Sequence, residues 1–245
     1  MILTTAIIKG GAGKSTTAAA LLQAAARCGE KALGVDIGPQ ANLTLFLAAD
    51  QNRPGAIDLL HGAAAADLIQ HTPQGIDVIA GAPDLAAEVT RAGSGRRLET
   101  ALKPVNEEYD LIIIDTPPQT GELLFNALQA AEGVLIPLEA DSAHIQGFYQ
   151  IADIAHQMQH SNPKLEILGS VVIRYDSRPG VNRALLEKVR SIGDEIGAPL
   201  LQCIRQDCKI REAQGFRLSL YEYKPRCKAA ADYMELYRTI TEKRG

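Results

Sequence analysis

The stretch Lys9-Gly10-Gly11-Ala12-Gly13-Lys14-Ser15-Thr16 decides the fold. It follows an apolar run, Thr5-Ala6-Ile7-Ile8, that reads as buried strand. It opens onto Thr17–Arg27, rich in alanine and leucine and strongly helix-forming. Strand, glycine-rich turn, Lys-Ser and helix together form a phosphate loop. Gly10, Gly11 and Gly13 lack a Cβ, so the backbone can approach an anion closely. The freed N–H groups and the helix N-terminus then point at the phosphates. Lys14 supplies a point charge to the outer phosphates, and the Ser15 hydroxyl can ligate Mg²⁺. Ala12 and Thr16 complete the cradle.

Outward from this loop, the chain alternates strand and helix. Strands are expected at Ile2–Ile8, Lys31–Asp36, Ile76–Ala80, Asp110–Asp115, Gly133–Leu138, Leu165–Ile173 and Pro199–Ile204. Helices are expected at Ser15–Arg27, Leu43–Ala49, Ala56–Leu60, Ala63–Gln70, and Pro83–Val105 with a break near Gly93-Ser94-Gly95. Further helices follow at Gly121–Ala131, Ser142–His160, Val181–Gly197 and Arg226–Lys243, with a turn near Ile210–Gln214. Such alternation predicts an α/β fold, a mostly parallel, doubly wound sheet with helices on both faces. Ligands then bind at the carboxyl ends of the strands. At 245 residues and 46% apolar content, one phosphate-loop domain spanning 1–245 is the expectation.

Composition excludes several classes. The formal charge of −4 argues against a uniformly basic nucleic-acid binder, but a local basic patch is compatible with it. Cys28, Cys203, Cys208 and Cys227 show no Cys-x-x-Cys spacing, so reduced thiols rather than a zinc or redox site are expected. No signal peptide precedes the first strand, and no apolar run approaches the roughly 18 residues of a membrane span. A cytoplasmic protein is the expectation. The five histidines are scattered and receive no role.

Two carboxylates end strands next to the phosphate loop. Asp115 closes Leu-Ile-Ile-Ile and precedes Thr116-Pro117-Pro118, a Walker-B-like arrangement whose carboxylate can hold Mg²⁺, usually through water. Asp36 ends the second strand and is read as facing the same ion or a nucleophilic water, or as a strand-end turn residue.

Three segments, residues 9–17, Val35-Asp36-Ile37-Gly38-Pro39-Gln40-Ala41-Asn42-Leu43-Thr44 and Ile113-Ile114-Asp115-Thr116-Pro117-Pro118, resemble the three signatures of the ParA/MinD family of deviant-Walker-A ATPases, and within it the ParA/Soj partition proteins. The resemblance extends to Ile173-Arg174-Tyr175-Asp176-Ser177-Arg178, similar to the family's strand and loop near the nucleotide base. It also covers Lys209–Ala213 and Leu220–Pro225, and so runs over nearly the whole chain. It implies ATP and Mg²⁺ as ligands, an ATP-dependent sandwich homodimer, nonspecific DNA binding on the nucleoid, and a centromere-binding partner protein. Lys9 matches the family's extra lysine, which reaches the partner subunit's phosphates. Arg174 falls beside the base. Arg205 stands where relatives carry proline; a guanidinium there either stacks on the base or faces solvent.

One departure from the family bears on catalysis. Its second signature reads Asp-x-Asp-Pro-Gln-Gly-Asn, and the second aspartate is linked to the attacking water. Here Gly38 stands at that position. Losing a water-positioning carboxylate typically costs about 10²–10⁴ in rate. ATP binding is expected to survive and hydrolysis to be weak, unless Asp36 takes over part of the work.

DNA binding rests on charge distribution. Residues 205–228 carry seven basic side chains, Arg205, Lys209, Arg211, Arg217, Lys224, Arg226 and Lys228, against Asp207, Glu212 and Glu222. A cationic segment of +4 on a remainder of −8 suits sequence-independent phosphate contact. No interleaved aromatic residues suggest base stacking. The final helix lacks the apolar and cationic faces of an interfacial anchor, so no membrane contact is expected. A nucleotide-locked scaffold that recruits a partner without turnover is the alternative. Ligases of the same superfamily fit less well, and iron-protein reductases need cysteines that the chain lacks between Cys28 and Cys203.

Overall fold

A computed structural model describes residues 1–89, 95–176 and 181–242, the side chains of 181 and 182 excepted. Its strands are β1 (Ile2–Thr5), β2 (Ala32–Asp36), β3 (Ile69–His71), β4 (Asp77–Ile79), β5 (Leu111–Asp115), β6 (Gly133–Leu138), β7 (Glu166–Tyr175) and β8 (Leu200–Arg205). They form one sheet in the order β3-β4-β2-β5-β1-β6-β7-β8. Every pairing is parallel except that of the edge strand β3 with β4.

The helices are α1 (Lys14–Arg27), α2 (Asn42–Phe46), α3 (Ala56–Leu60), α4 (Ala65–Leu68), α5 (Leu85–Glu88) and α6 (Arg97–Leu102), then α7 (Glu122–Ala130), α8 (Ser142–Met158), α9 (Val181–Glu195), α10 (Cys208–Gly215), α11 (Leu220–Tyr223) and α12 (Lys228–Glu242). They cover both faces, because the strands alternate between two apolar clusters. In β5, Ile112 and Ile114 join α6, α7 and α8 on one face. Leu111 and Ile113 join α1 and α12 on the other. All four are buried, each burial contributing about 1.5–3 kcal/mol. That two-sided burial explains why β5 has no polar face.

The expected architecture holds, with corrections at the edges. Ala63–Gln70 is helical only over Ala65–Leu68, and its end becomes β3. Edge pairing with β4 overrides the helical propensity of that alanine-rich run. The expected helix Pro83–Val105 is two short helices, α5 and α6; Gly93 and Ser94 lie outside the described residues. The turn near Ile210–Gln214 is the full helix α10, capped by the Asp207 carboxylate accepting from the Lys209 N–H at 3.0 Å. Tyr233, Leu236, Tyr237 and Ile240 of α12 are buried, and the helix packs on β8 and α1.

Candidate functional site

β1, β2 and β5 lie side by side, so their carboxyl ends open together. The parallel register places Thr5 beside Asp115 and Asp115 beside Asp36. Above them residues 10–16 curl into α1 and line a cavity of about 450 Å³. Gly13 is the N-cap of α1 and has φ +75°. A Cβ there would sit 2.4 Å from Ile173 Cδ1, so only glycine fits both the backbone and the space.

Lys14 is buried, and its ammonium donates to the carbonyls of Lys9 at 3.1 Å and Ile7 at 3.4 Å. Burial lowers its pKa, and the nearby Asp115 carboxylate opposes that shift. Lys14 thus lies against the loop's own carbonyls. Lys9 is exposed, and the cavity lining begins at Gly10.

Asp115 is pushed up to about 7, first by burial and then by the Asp36 carboxylate, while the Ser15 hydroxyl, Lys14 and Thr5 pull the other way. The Thr5 hydroxyl donates to its Oδ1 at 3.3 Å. Asp36 is wholly buried, and burial raises its pKa against the hydrogen bonds it accepts. Those bonds come from the Gly38 N–H at 3.0 Å, the Thr44 N–H at 2.9 Å and the Thr44 hydroxyl at 2.8 Å. Asp36 therefore ties down the segment 37–44, and a base role would require releasing Thr44. Two adjacent buried carboxyl groups and a hydroxyl form a hard-oxygen set, which suits Mg²⁺. Among the described residues no group of three or more His, Cys, Asp or Glu is placed to hold a metal ion by itself.

Gly38 lines the cavity with no side chain to offer. A Cβ there would lie 3.2 Å from Asp36 Oδ1, close but within reach of a small adjustment. Arg174 also lines the cavity, has φ +52° and forms an ion pair with Glu139.

Arg205 has a partner that the sequence reading did not supply. It lines the cavity, yet its guanidinium grips Asp232 through Nε–Oδ2 at 2.9 Å and Nη2–Oδ1 at 2.6 Å. A bidentate partner on α12 fixes the guanidinium, while the side chain stays partly open to solvent. Several contributors escaped the sequence reading. Thr44 clamps Asp36, and Asp207 accepts from Lys209 and, at 3.1 Å, from the Lys228 N–H, capping two helices. Thr44 to Asp36 spans 8 residues and Asp207 to Lys228 spans 21, and no local pattern announces either; Asp207 to Lys209 spans two and is an N-cap signal that could have been read. Tyr233 also reaches the cavity, from the final helix.

The basic residues of 205–228 divide into two groups. Arg205 is spent on Asp232, and Lys209 donates to Glu212 at 2.7 Å. Arg211, Arg217, Lys224, Arg226 and Lys228 are exposed.

A family model described as an AAA domain matches residues 1–167. The chromosome-partitioning ATPase Soj of Thermus thermophilus is 33% identical over 235 residues, covering 95% of this chain and 92% of its own length. The chain belongs to the ParA/MinD family. The Pyrococcus furiosus cell division ATPase MinD superposes with a TM-score of 0.80 at 26% identity, covering 99% of this chain and 98% of that one. Cobyrinic acid a,c-diamide synthase from Mycobacterium smegmatis, solved with an ATP analog and magnesium, gives 0.83 at 28% identity, covering 98% and 94%. This family member thus has the phosphate-loop ATPase fold. Among its described residues no helix is long and apolar enough to cross a membrane.

Proposed function

We propose that this chain is a ParA-type partition ATPase, a single domain that binds ATP with Mg²⁺, dimerises around the nucleotide, holds nonspecific DNA and hydrolyses ATP slowly. One observation carries the reading: a glycine cradle with buried Lys14 stands directly over the paired carboxylates Asp36 and Asp115. Phosphate oxygens would take Lys14 from the Lys9 and Ile7 carbonyls, and the amides of residues 10–16 would take the anionic oxygens. Ser15 and Asp115 would hold Mg²⁺, with Asp36 behind them. The ion would supply charge neutralisation and polarisation of the phosphate oxygens. Exposed Lys9 is available to a second subunit's nucleotide, as family resemblance implies. Partition proteins rather than a synthase are favoured because the partition relative is the more similar in sequence.

Gly38 leaves the attacking water without a carboxylate, and Asp36 is engaged by three donors. This favours a long-lived ATP state, and a scaffold that recruits a partner without turnover is the second reading. In either case hydrolysis or its absence sets the lifetime of one of two states. The five exposed cations of 205–228 would contact DNA phosphates on the nucleoid, and a centromere-bound partner would promote release.

Retention on a nonspecific duplex, measured with Mg²⁺-ATP, Mg²⁺-ADP and no nucleotide, tests the reading. Binding is expected with ATP alone, and five phosphate contacts predict a loss of about 10²–10³-fold in affinity between about 50 and 200 mM salt. Retention that ignores nucleotide, or none in any state, contradicts it.

A further inference from the structure

Resting on that DNA-binding reading, we infer that Phe216 is an apolar wedge that enters a base step while the surrounding cations hold the phosphates. Large apolar side chains are otherwise buried; among the described residues only Tyr149, Phe216 and Leu218 stand well exposed, and Phe216 is the extreme at 67%. It sits within the basic segment, after Arg211 and before Arg217, Lys224 and Arg226 in sequence, all exposed.

The ring is held rigidly. It stacks on Tyr223 with centroids 5.7 Å apart. The Tyr223 hydroxyl donates to Glu212 Oε2 at 2.6 Å, and Lys209 holds the same carboxylate. The backbone is pinned as well. The Leu218 N–H reaches the Ala213 carbonyl and the Arg217 N–H the Gln214 carbonyl, each at 3.0 Å, which is a Schellman closure of α10. Its left-handed position, usually glycine, is Arg217 at φ +54°. Gln74 Nε2 also donates to the Arg217 carbonyl at 3.0 Å. A strained arginine beside a pre-stacked, outward phenylalanine is an arrangement that solubility alone does not require.

Charge selects the partner. Within 205–228 the one exposed acid is Glu222, against five exposed cations. A protein partner would need acidic groups to meet all five cations, and two apolar side chains are too few for membrane insertion. DNA offers both features at once: phosphates for the cations and an apolar base step for the ring. Proteins that insert phenylalanine between steps unstack and kink the duplex. The structure thus adds base-step contact to the phosphate contact expected from the sequence, without base-specific readout.

The test uses the full chain with Mg²⁺-ATP, fluorescence anisotropy on a duplex, and 2-aminopurine placed within that duplex. Phe216→Ala is expected to weaken binding about tenfold with the salt slope unchanged. Arg217→Ala instead lowers the slope by about one. Bound wild type raises 2-aminopurine fluorescence, Phe216→Ala does not, and Phe216→Tyr restores both signals. Equal affinity and equal fluorescence for wild type and Phe216→Ala overturn the wedge while leaving phosphate binding intact. Absence of DNA binding by wild type overturns the wedge together with the reading beneath it.

Discussion

Replacing Asp115 by asparagine separates what the site costs the fold from what it does. In the ligand-free protein burial and Asp36 push Asp115 up to about 7, against 3.8 for the ordinary carboxyl. The folded chain thus keeps a proton that the unfolded chain releases. Stability from this group is fully present below about pH 4 and is lost as the pH rises toward 7. Three pH units correspond to about 4 kcal/mol, of which about 3 fall between pH 5 and 8. Asparagine is neutral throughout, but its amide can no longer accept from both Thr5 and Ser15, which costs about 1–3 kcal/mol. The variant is therefore expected to be level with or below wild type at pH 5 and above it at pH 8. The difference should swing by about 3 kcal/mol, or about 6–12 °C in Tm for a chain of this size. Thermal unfolding without nucleotide at pH 5, 6, 7 and 8 measures it. Adding Mg²⁺-ATP should stabilise wild type strongly and the variant far less, because the carboxylate charge proposed to hold the metal is gone. A stability difference that stays flat with pH would refute the paired-carboxylate reasoning.

Two further substitutions probe the loop. Gly13→Ala should destabilise by about 2–4 kcal/mol in urea unfolding, combining left-handed strain with overlap on Ile173; adding Ile173→Ala should recover only the overlap. Lys9→Ala should abolish the Mg²⁺-ATP-dependent shift in sedimentation coefficient, while ATP still protects the monomer against heat; retention of the dimer would remove Lys9 from the partner's site.

The sheet and the cradle were legible because their signals are local. Gly13 precedes Lys14 and Ser15 in the loop, and Leu111–Ile114 shows its two-sided burial as an unbroken apolar run. The site's supports were not, because they are long-range. Arg205 read as a base-stacking or solvent-facing group, and its partner Asp232 comes from α12, 27 residues away. Lys209 counted as a free cation until Glu212 and Tyr223 claimed its neighbourhood. Ile69 and Gln70 read as the end of a helix because pairing with β4, rather than their own propensity, makes Ile69–His71 a strand. Asp36 read as a candidate base, and the fold gives its lone pairs to Gly38 and Thr44.

The most direct measurement is steady-state ATP turnover, with and without nonspecific duplex DNA, for this chain and for Gly38→Asp. The new Cβ would begin 3.2 Å from Asp36 Oδ1, so the loop must give slightly to admit the carboxylate. If a missing water-positioning group limits hydrolysis, the native chain turns over barely above background and Gly38→Asp is faster by about 10²–10⁴. Equal rates for the two proteins, at any DNA concentration, would contradict the account and place the attacking water under another group.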